Sequence, residues 1–248
     1  MSPRAVRWSL LGALLAGWFA AAAAGLNNPV ILPAPQAVAV ALWRDLPAFG
    51  HALAFTCGEI AAALAIGWAA GCAAGGIAGS HPASARVVSG LLTSAFAVPI
   101  IILYPLLLAW TGIGWPSKIL FGVLSGFFPI ALNTLAAVRA VDPKLVTMAR
   151  AMGASRAQIL VRVVARAALP GIVAGLRVGT ALTVIGVVVT EMLGATAGLG
   201  YLISYHTTLF DTGHVYAGIA LALLVVFGLN LGLGSLERRL RGELAGAT

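Results

Sequence analysis

The chain has 248 residues, of which 60% are hydrophobic and only 9% are charged. Soluble domains carry about 25% charged residues, so a soluble fold is excluded and lipid is the expected solvent. The net charge of +8 would suit nucleic acid, but the distribution of the charges argues against that partner. Both cysteines lie in one apolar segment, which disfavours a disulfide framework or a metal site.

The apolar segments predict an all-α fold, a polytopic membrane helical bundle with six transmembrane helices. Each segment is about 18–25 residues long, the length that a helix needs to cross the hydrocarbon core. The predicted spans are Trp8–Ala24, Leu53–Gly79, Val88–Trp110, Ile119–Val138, Gly171–Gly194 and Val215–Gly234. We expect three regions: an N-terminal anchor with an extracytoplasmic segment (1–50), a transmembrane domain (51–236) and a basic cytoplasmic tail (237–248).

The first span has two interpretations. Arg4 and Arg7 precede a short apolar run, and Ala22–Ala24 resembles a cleavage site, as in a signal peptide. A retained anchor is favoured because five more predicted spans follow it. In the extracytoplasmic segment that comes next, 26–50, prolines are expected to break regular structure. Ala37–Arg44 is predicted to form a short interfacial helix.

The basic residues outside the spans set the orientation of the chain. With both termini in the cytoplasm, Arg44 and Lys118 fall on the outer side and Arg177 lies within a span. The others fall on the inner side: Arg4, Arg7, Arg86, Arg139, Lys144, Arg150, Arg156, Arg162, Arg166, Arg238, Arg239 and Arg241. Cytoplasmic loops are enriched in Lys and Arg, so the N- and C-termini are predicted to be cytoplasmic.

The second and third spans carry glycine and proline at informative positions. Four glycines of the second span repeat every four residues: Gly67, Gly71, Gly75 and Gly79. They form a bare stripe on one helix face, where a second backbone can approach closely. Pro99 and Pro105 are expected to bend the third span. The sequence leaves open whether that bend lines a pathway or is purely structural.

The loop between the fourth and fifth spans, 139–170, is basic and has a helical pattern. Asp142–Pro143 predicts a helix start, with Asp as the N-cap and Pro at the first helical position. Gly153 is expected to end this helix, and Ser155 with Gln158 predicts a capping box that opens a second helix. Such a rigid helix–turn–helix can transmit a push to the spans. The alternative is an amphipathic helix that lies on the leaflet.

Glu59 and Glu191 lie in or near spans, where a carboxylate costs about 2.5–3.5 kcal/mol and must face protein or water. For each, a structural role is weighed against a place in the translocation path. Arg177 is expected to snorkel to the inner interface or to attract an anion. The histidines are assigned to loops on both sides of the membrane and predict no metal site: His51, His81, His206 and His214.

The run ARAMGASRAQILVRVVARAALPGIVAGLRVG, residues 149–179, resembles the loop of permease subunits of bacterial ATP-binding-cassette (ABC) importers of type I. The hallmarks of that loop are a glycine in the turn and a later proline, here Gly153 and Pro170. The nitrate, sulfonate, taurine and bicarbonate-type branch is the most similar. Further matching stretches are Leu32–Trp43, Gly112–Ile119, Phe127–Pro143 and Glu191–Ile203.

The resemblance implies a multi-pass permease of the bacterial inner membrane that is not itself an enzyme. A cytoplasmic ATPase dimer would bind ATP and Mg²⁺, a second permease copy would complete a homodimer, and an extracytoplasmic substrate-binding protein would deliver a small anion such as a sulfonate, taurine or nitrate. The implied ATPase-coupling residues are Thr147, Met148, Ala149, Arg150, Met152, Gly153, Ala154, Ser155 and Pro170. The residues singled out for the translocation path are Glu191, Glu59, Pro99 and Arg177.

One departure from the family pattern affects the coupling loop. The family often has Glu-Ala-Ala where this chain has Thr147–Ala149, so the carboxylate that would pair with an ATPase arginine is missing. Docking by shape and apolar contact is therefore expected. Neither Lys118 nor Lys144 follows a glycine, so the chain lacks a phosphate-binding loop and ATP hydrolysis is assigned to a partner.

Two other classes of function compete with the permease. A proton-coupled secondary carrier would use Glu59 or Glu191 and would need no ATPase. An intramembrane serine protease would need a Ser and a His within reach inside the bilayer. The histidines are predicted to lie outside the spans, which disfavours that enzyme.

Overall fold

A computed structural model describes residues 3–26 and 28–245, and helices make up most of this part of the chain. The helices are α1 (Pro3–Ala23), α2 (Pro35–Arg44), α3 (Leu46–Gly79), α4 (Pro82–Phe96), α5 (Tyr104–Thr111), α6 (Trp115–Arg139), α7 (Pro143–Ala151), α8 (Arg156–Gln158), α9 (Ala165–Gly194), α10 (Leu199–Thr208) and α11 (Thr212–Ala245). A 3₁₀ turn, Ile100–Leu103, precedes α5, and a π-helical stretch, Ile159–Val164, joins α8 to α9. The all-α prediction is confirmed.

Helices lie at all six predicted span positions. The four that are long and apolar enough to cross a membrane are α3, α6, the continuous helix Arg156–Gly194 and Thr212–Ser235 of α11. A fifth candidate is the bent pair Pro82–Phe96 and Ile100–Thr111, whose halves meet at 76°. α1 contributes the apolar stretch Gly12–Ala23. The full count of six spans and the orientation of the termini stay predictions.

Several helix boundaries differ from the sequence-based expectation. α3 begins at Leu46, so the irregular segment ends earlier than Gly50. Pro47 lies in the first turn of α3, where a proline removes no intrahelical hydrogen bond. The short helix predicted before it is present as α2. At the other end α11 continues to Ala245, and the last part of the predicted tail, 246–248, lies outside the described residues.

The chain divides into two compact units. One comprises Met1–Thr56 and Glu191–Leu224, and the other comprises Cys57–Thr190 and Val225–Thr248. The first unit packs around a core formed by α2, the start of α3, α10 and the start of α11. Its buried core residues are Phe49, Ala52, Leu199 and Ala217. The division into 1–50, 51–236 and 237–248 stays a prediction.

In the second unit α6 lies between two glycine-lined helices. A Cβ on Gly75 of α3 would overlap the carbonyl oxygen of Ala131. The fully buried Ile130 fits between Gly71 of α3 and Gly179 of α9, and a side chain at either glycine would collide with it. Small residues thus let three backbones approach closely, as the stripe in α3 predicted.

Candidate functional site

The helix–turn–helix between α6 and α9 is built as the sequence predicts. The Asp142 side chain accepts a hydrogen bond of 2.8 Å from the backbone nitrogen of Lys144 and so caps α7. Gly153 has φ +78°, the left-handed conformation that ends a helix. The Ser155 backbone nitrogen donates to Gln158 Oε1 at 2.8 Å, and the Gln158 nitrogen donates back to Ser155 Oγ at 3.3 Å. The turn is therefore fixed at both ends by local hydrogen bonds.

The structure leaves α7 with no buried residue. Its apolar side chains are instead exposed: Leu145 by 44%, Met148 by 63% and Met152, just after the helix, by 85%. These positions are three and four residues apart, so they share one helix face. Exposed apolar clusters mark interaction sites, and flexible methionines adapt to a partner's surface. We call Leu145, Met148 and Met152 the α7 face.

The remaining coupling-loop residues surround the α7 face. Thr147 is exposed and its hydroxyl donates to the carbonyl oxygen of Pro143 at 3.0 Å. Arg150 and Ser155 are exposed, whereas Ala149 and Ala154 are half-buried. No carboxylate follows Asp142 in α7, so the face is apolar and basic.

The second helix of the loop runs without a break into the fifth predicted span. Pro170 lies inside α9 rather than at a junction between two helices. The helix is wider between Ile159 and Val164, where it takes the π form. π-helical turns occur frequently at functional sites. The sequence pattern, which shows only an apolar side and a basic side, gave no signal for this local widening.

A cavity of about 370 Å³ opens where the bent pair breaks. It lies in the second unit and is lined almost entirely by apolar side chains. The lining residues are Phe96, Ala97, Val98, Pro99, Ile100 and Ile101 at the bend, Phe121 and Ser125 of α6, and Leu182, Ile185, Gly186 and Val189 of α9. Of the residues singled out for a path, Pro99 alone lines this cavity.

Glu59 lies elsewhere, in a buried ion pair with Lys118. The pair joins α3 to α6, and the two residues are 0% and 3% exposed. Lys118 is therefore buried in the first turn of α6 and does not lie in a loop before the helix, whereas its position on the outer side stays a prediction. α6 begins at Trp115, before the lysine, and the Glu59 carboxylate compensates the charge inside the protein.

Glu191 holds the beginning of α10 within the first unit. It is 1% exposed, and it accepts hydrogen bonds from Thr56 Oγ1 at 2.7 Å and from the Gly200 nitrogen at 2.8 Å. The Leu199 nitrogen donates to Thr56 Oγ1 at 2.8 Å. A negative charge at a helix N-terminus is favourable. Gly198 has φ +109° and leaves no room for a Cβ beside the carboxylate. This geometry supports the structural interpretation of Glu191.

Arg177 is half-exposed and points to α11 within the second unit. Its Nε donates to Asn230 Oδ1 at 3.2 Å, and its guanidinium lies 3.9 Å from the Glu237 carboxylate. The cavity at the bend does not include it among its lining residues. Whether Arg177 attracts an anion stays a prediction.

Sequence reasoning missed one cluster in the first unit. His206 at the end of α10 and His214 at the start of α11 stack with ring centroids 4.4 Å apart. Asp211 lies between them, and Asp45 contacts the far side of His214. The signal available in the sequence was that His206, Asp211 and His214 lie within nine positions of one another. Burial lowers the pKa of His206, and the neighbouring His214 lowers it further, which favours the neutral imidazole.

Comparison with known proteins identifies relatives of this architecture. Residues 63–242 match the family model described as "Binding-protein-dependent transport system inner membrane component". The chain is 35% identical to the taurine transport system permease protein of Escherichia coli K12, over 93% of this chain and 86% of that protein. It is 31% identical to a putative aliphatic sulfonates transport permease protein of Bacillus subtilis 168, over 86% of this chain and 78% of that protein.

A solved structure agrees in fold. The chain superposes on an inward-facing structure of the MetNI methionine ABC transporter with a TM-score of 0.64, covering 80% of this chain and 97% of that chain. The sequence identity is 20%, so this likeness concerns the fold alone. The type I permease architecture expected from the sequence is confirmed.

Proposed function

This chain belongs to the family of inner membrane components of binding-protein-dependent transport systems and is the translocation subunit of an ABC importer, and we propose that it carries a small organic sulfonate and is driven through the α7 face by a separate ATPase. The family implies an ATPase and a substrate-binding protein as partners. The proposal adds which surface meets the ATPase and what is transported.

The coupling proposal rests on the exposure of the α7 face. A helix with no buried residue and with Met148 and Met152 exposed needs a partner to cover it. The caps at Asp142 and Ser155 make the segment rigid, so a force on α7 is passed to the helix that begins at Arg156. That helix continues without a break to Gly194, so a movement of α7 reaches the membrane span directly.

The substrate proposal is supported by the relatives and by the cavity. The two relatives described above are named for taurine and for aliphatic sulfonates. The cavity at the bend is apolar and holds no charged side chain among its lining residues. Such a surface binds a small anion weakly and allows it to pass. Selection is then the task of the substrate-binding protein.

Two further parts of the proposal concern assembly. ATP is hydrolysed by the ATPase and not by this chain, which contributes no nucleotide chemistry. Two copies of the chain pair as a homodimer and enclose one path, with Pro99 and the bend that contains it beside that path.

Reconstitution tests the proposal. The permease, the ATPase and the binding protein encoded beside it are placed in proteoliposomes, and uptake of radiolabelled taurine is measured with and without ATP. We expect ATP-dependent uptake of taurine, and this uptake should stop when the ATP site of the partner is inactivated. An excess of unlabelled nitrate should not reduce it. ATP-dependent uptake of another solute instead of taurine would refute the proposed substrate but would agree with the proposed coupling to the ATPase.

The proton-coupled carrier makes the opposite prediction in the same vesicles. It requires uptake driven by a proton gradient without the ATPase. Both membrane carboxylates already have partners, Glu59 in an ion pair with Lys118 and Glu191 in hydrogen bonds with Thr56 and Gly200. A carboxylate engaged in this way is poorly suited to exchange protons with a pathway. Uptake that persists without ATP and collapses with a protonophore would overturn the ABC mechanism.

A further inference from the structure

We propose that His206, Asp211 and His214 bind one divalent transition-metal ion of the zinc class, with Asp45 orienting His214 from behind. None of these residues belongs to the α7 face or to the cavity at the bend. The site would be a second, independent feature of the molecule, built where α10 ends and α11 begins.

The three proposed ligands already lie at ligand spacing. Asp211 Oδ2 is 2.7 Å from His214 Nδ1 and 3.5 Å from His206 Nδ1. One donor atom from each of the three residues lies within 4.8 Å of the other two. Donors that bind one zinc ion at about 2.0–2.2 Å are separated by a little over 3 Å in a tetrahedral site. Small side-chain rotations are enough to bring all three onto one ion.

The two Nδ1 atoms are buried and share one carboxylate. Asp211 Oδ2 pairs with both, and its contact of 3.5 Å with His206 Nδ1 is at the limit for a hydrogen bond. One carboxylate oxygen therefore serves both imidazoles. A metal ion between the imidazoles and the carboxylate would satisfy both nitrogens.

Asp45 supplies the arrangement that usually accompanies a metal-bound histidine. Its Oδ2 lies 2.7 Å from His214 Nε2, the ring nitrogen opposite to the proposed metal-binding atom. Metal-binding histidines commonly donate the other N–H to a carboxylate, which fixes the tautomer and the ring orientation. With the Nε2–H donated to Asp45, His214 Nδ1 can bind the ion once it has released the proton that it shares with Asp211.

The backbone between the ligands is held in an uncommon conformation. Phe210 has φ +57°, and it is the non-glycine residue with positive φ in the described chain. This residue ends α10 in a Schellman turn: the Phe210 nitrogen donates to the Thr207 carbonyl oxygen at 3.2 Å, and the Asp211 nitrogen donates to the His206 carbonyl oxygen at 3.0 Å. The helix end places Asp211 between the two imidazoles.

The donor atoms of the three residues favour a particular class of metal ion. Two imidazoles and one carboxylate suit Zn²⁺, Ni²⁺ and Cu²⁺ better than Ca²⁺ or Mg²⁺, which prefer oxygen ligands only. Three protein ligands leave one tetrahedral position for water or for a donor from another molecule. A bound ion would cross-link α10 to α11 and, through Asp45, to the junction of α2 and α3.

Cobalt titration tests the site in the intact protein. The full-length chain, purified in detergent with its affinity tag removed, is titrated with Co²⁺ and the visible d–d absorption is recorded. We expect one Co²⁺ per chain with the intense bands of low coordination number, and displacement of these bands by Zn²⁺. Weak octahedral bands alone, or no saturable change, would overturn the proposal.

Variants localise the binding. His206→Gln and His214→Gln should abolish the intense bands, and Asp45→Asn should weaken affinity by about 10–100-fold while keeping the spectrum. His51→Gln and His81→Gln change exposed histidines outside the cluster and serve as matched controls that should bind like the wild type. An equal loss in the controls would refute the assignment. If a ligand variant does not fold, the wild-type spectrum and the Asp45→Asn titration decide the question.

Discussion

α6 and α7 follow each other in the chain and differ in what covers them. α6 has more than half of its apolar window buried and is contacted by glycine-lined faces of α3 and α9, whereas α7 buries none of its residues. Contacts within the chain bury more than half of the apolar window of α6. The apolar face of α7 is exposed within the part of the chain that the structure describes. The difference separates a helix that supports the fold from a helix whose exposed apolar face is the proposed contact with the ATPase.

Gly75→Val should cause the largest effect because it disrupts the packing of α6. Its Cβ would collide with the Ala131 carbonyl oxygen, which belongs to the backbone and cannot rotate away. Overpacking costs about 1–3 kcal/mol, and a backbone collision lies at the upper end. We expect a lower thermal unfolding midpoint in detergent and a reduced yield of monodisperse protein.

The neighbouring glycine provides the matched control for that substitution. A Cβ on Gly76 meets no atom within 4 Å, so Gly76→Val should leave the unfolding midpoint almost unchanged. Equal loss of stability in both variants would show that valine itself, and not the close approach of α6, is responsible.

The Thr56–Glu191 contact should be next in magnitude. Leaving a buried hydrogen-bonding group without its partner costs about 1–3 kcal/mol. Thr56→Val and Glu191→Gln should each lower the unfolding midpoint, and the double variant should lose clearly less than the sum, because both act on the start of α10. Thermal unfolding of the four proteins in this cycle measures the coupling. Strict additivity would contradict the described network.

Gly153→Val tests the turn without touching its packing. Nothing lies within 4 Å of a Cβ there, so the effect comes only from the φ of +78°. The left-handed conformation costs a non-glycine residue about 1–2 kcal/mol, which lowers the equilibrium constant for the native turn by a factor of about 5–30. We expect ATP-driven uptake to fall accordingly while ATP hydrolysis continues.

Asparagine at the same position is the control for the backbone argument. Asn visits the left-handed region more easily than other residues, so Gly153→Asn should retain most of the uptake. Normal uptake by Gly153→Val would refute a mechanical role of the turn.

Thr147→Glu should have the smallest effect. It restores the carboxylate that the family often has, and an exposed ion pair contributes about 0–1 kcal/mol. We expect at most an approximately fivefold gain in affinity for the ATPase, measured by titrating labelled ATPase onto the reconstituted permease. Thr147→Gln is the uncharged control. The same affinity for both variants would mean that no partner arginine lies opposite this position.

The local signals of the sequence predicted local structure well. Asp142, Gly153 and Ser155 act through hydrogen bonds and backbone angles within a few residues, so their pattern was sufficient to predict α7, the turn and the capping box. The glycine stripe of α3 likewise predicted a close approach, because an exposed backbone has few other uses in a lipid-embedded helix.

Contacts between distant segments were beyond the sequence pattern. Lys118 looked like a loop cation because its partner, Glu59, is far away in the chain, and hydropathy counting has no means of pairing them. Asp45 and His214 are likewise brought together only by tertiary packing of the first unit. The π-helical stretch at Ile159–Val164 hardly changes the periodicity of the apolar residues, so the sequence pattern does not reveal it.

Cross-linking from the α7 face shows whether the ATPase binds there. A photo-reactive maleimide is attached to Met152→Cys in a chain whose Cys57 and Cys72 are replaced by serine, and the reconstituted complex is irradiated; a matched probe is placed at Leu209→Cys, an exposed position between α10 and α11. We expect a covalent product with the ATPase from position 152 and none from position 209. A product from position 209 only, or none from position 152 in a transport-active complex, would contradict it.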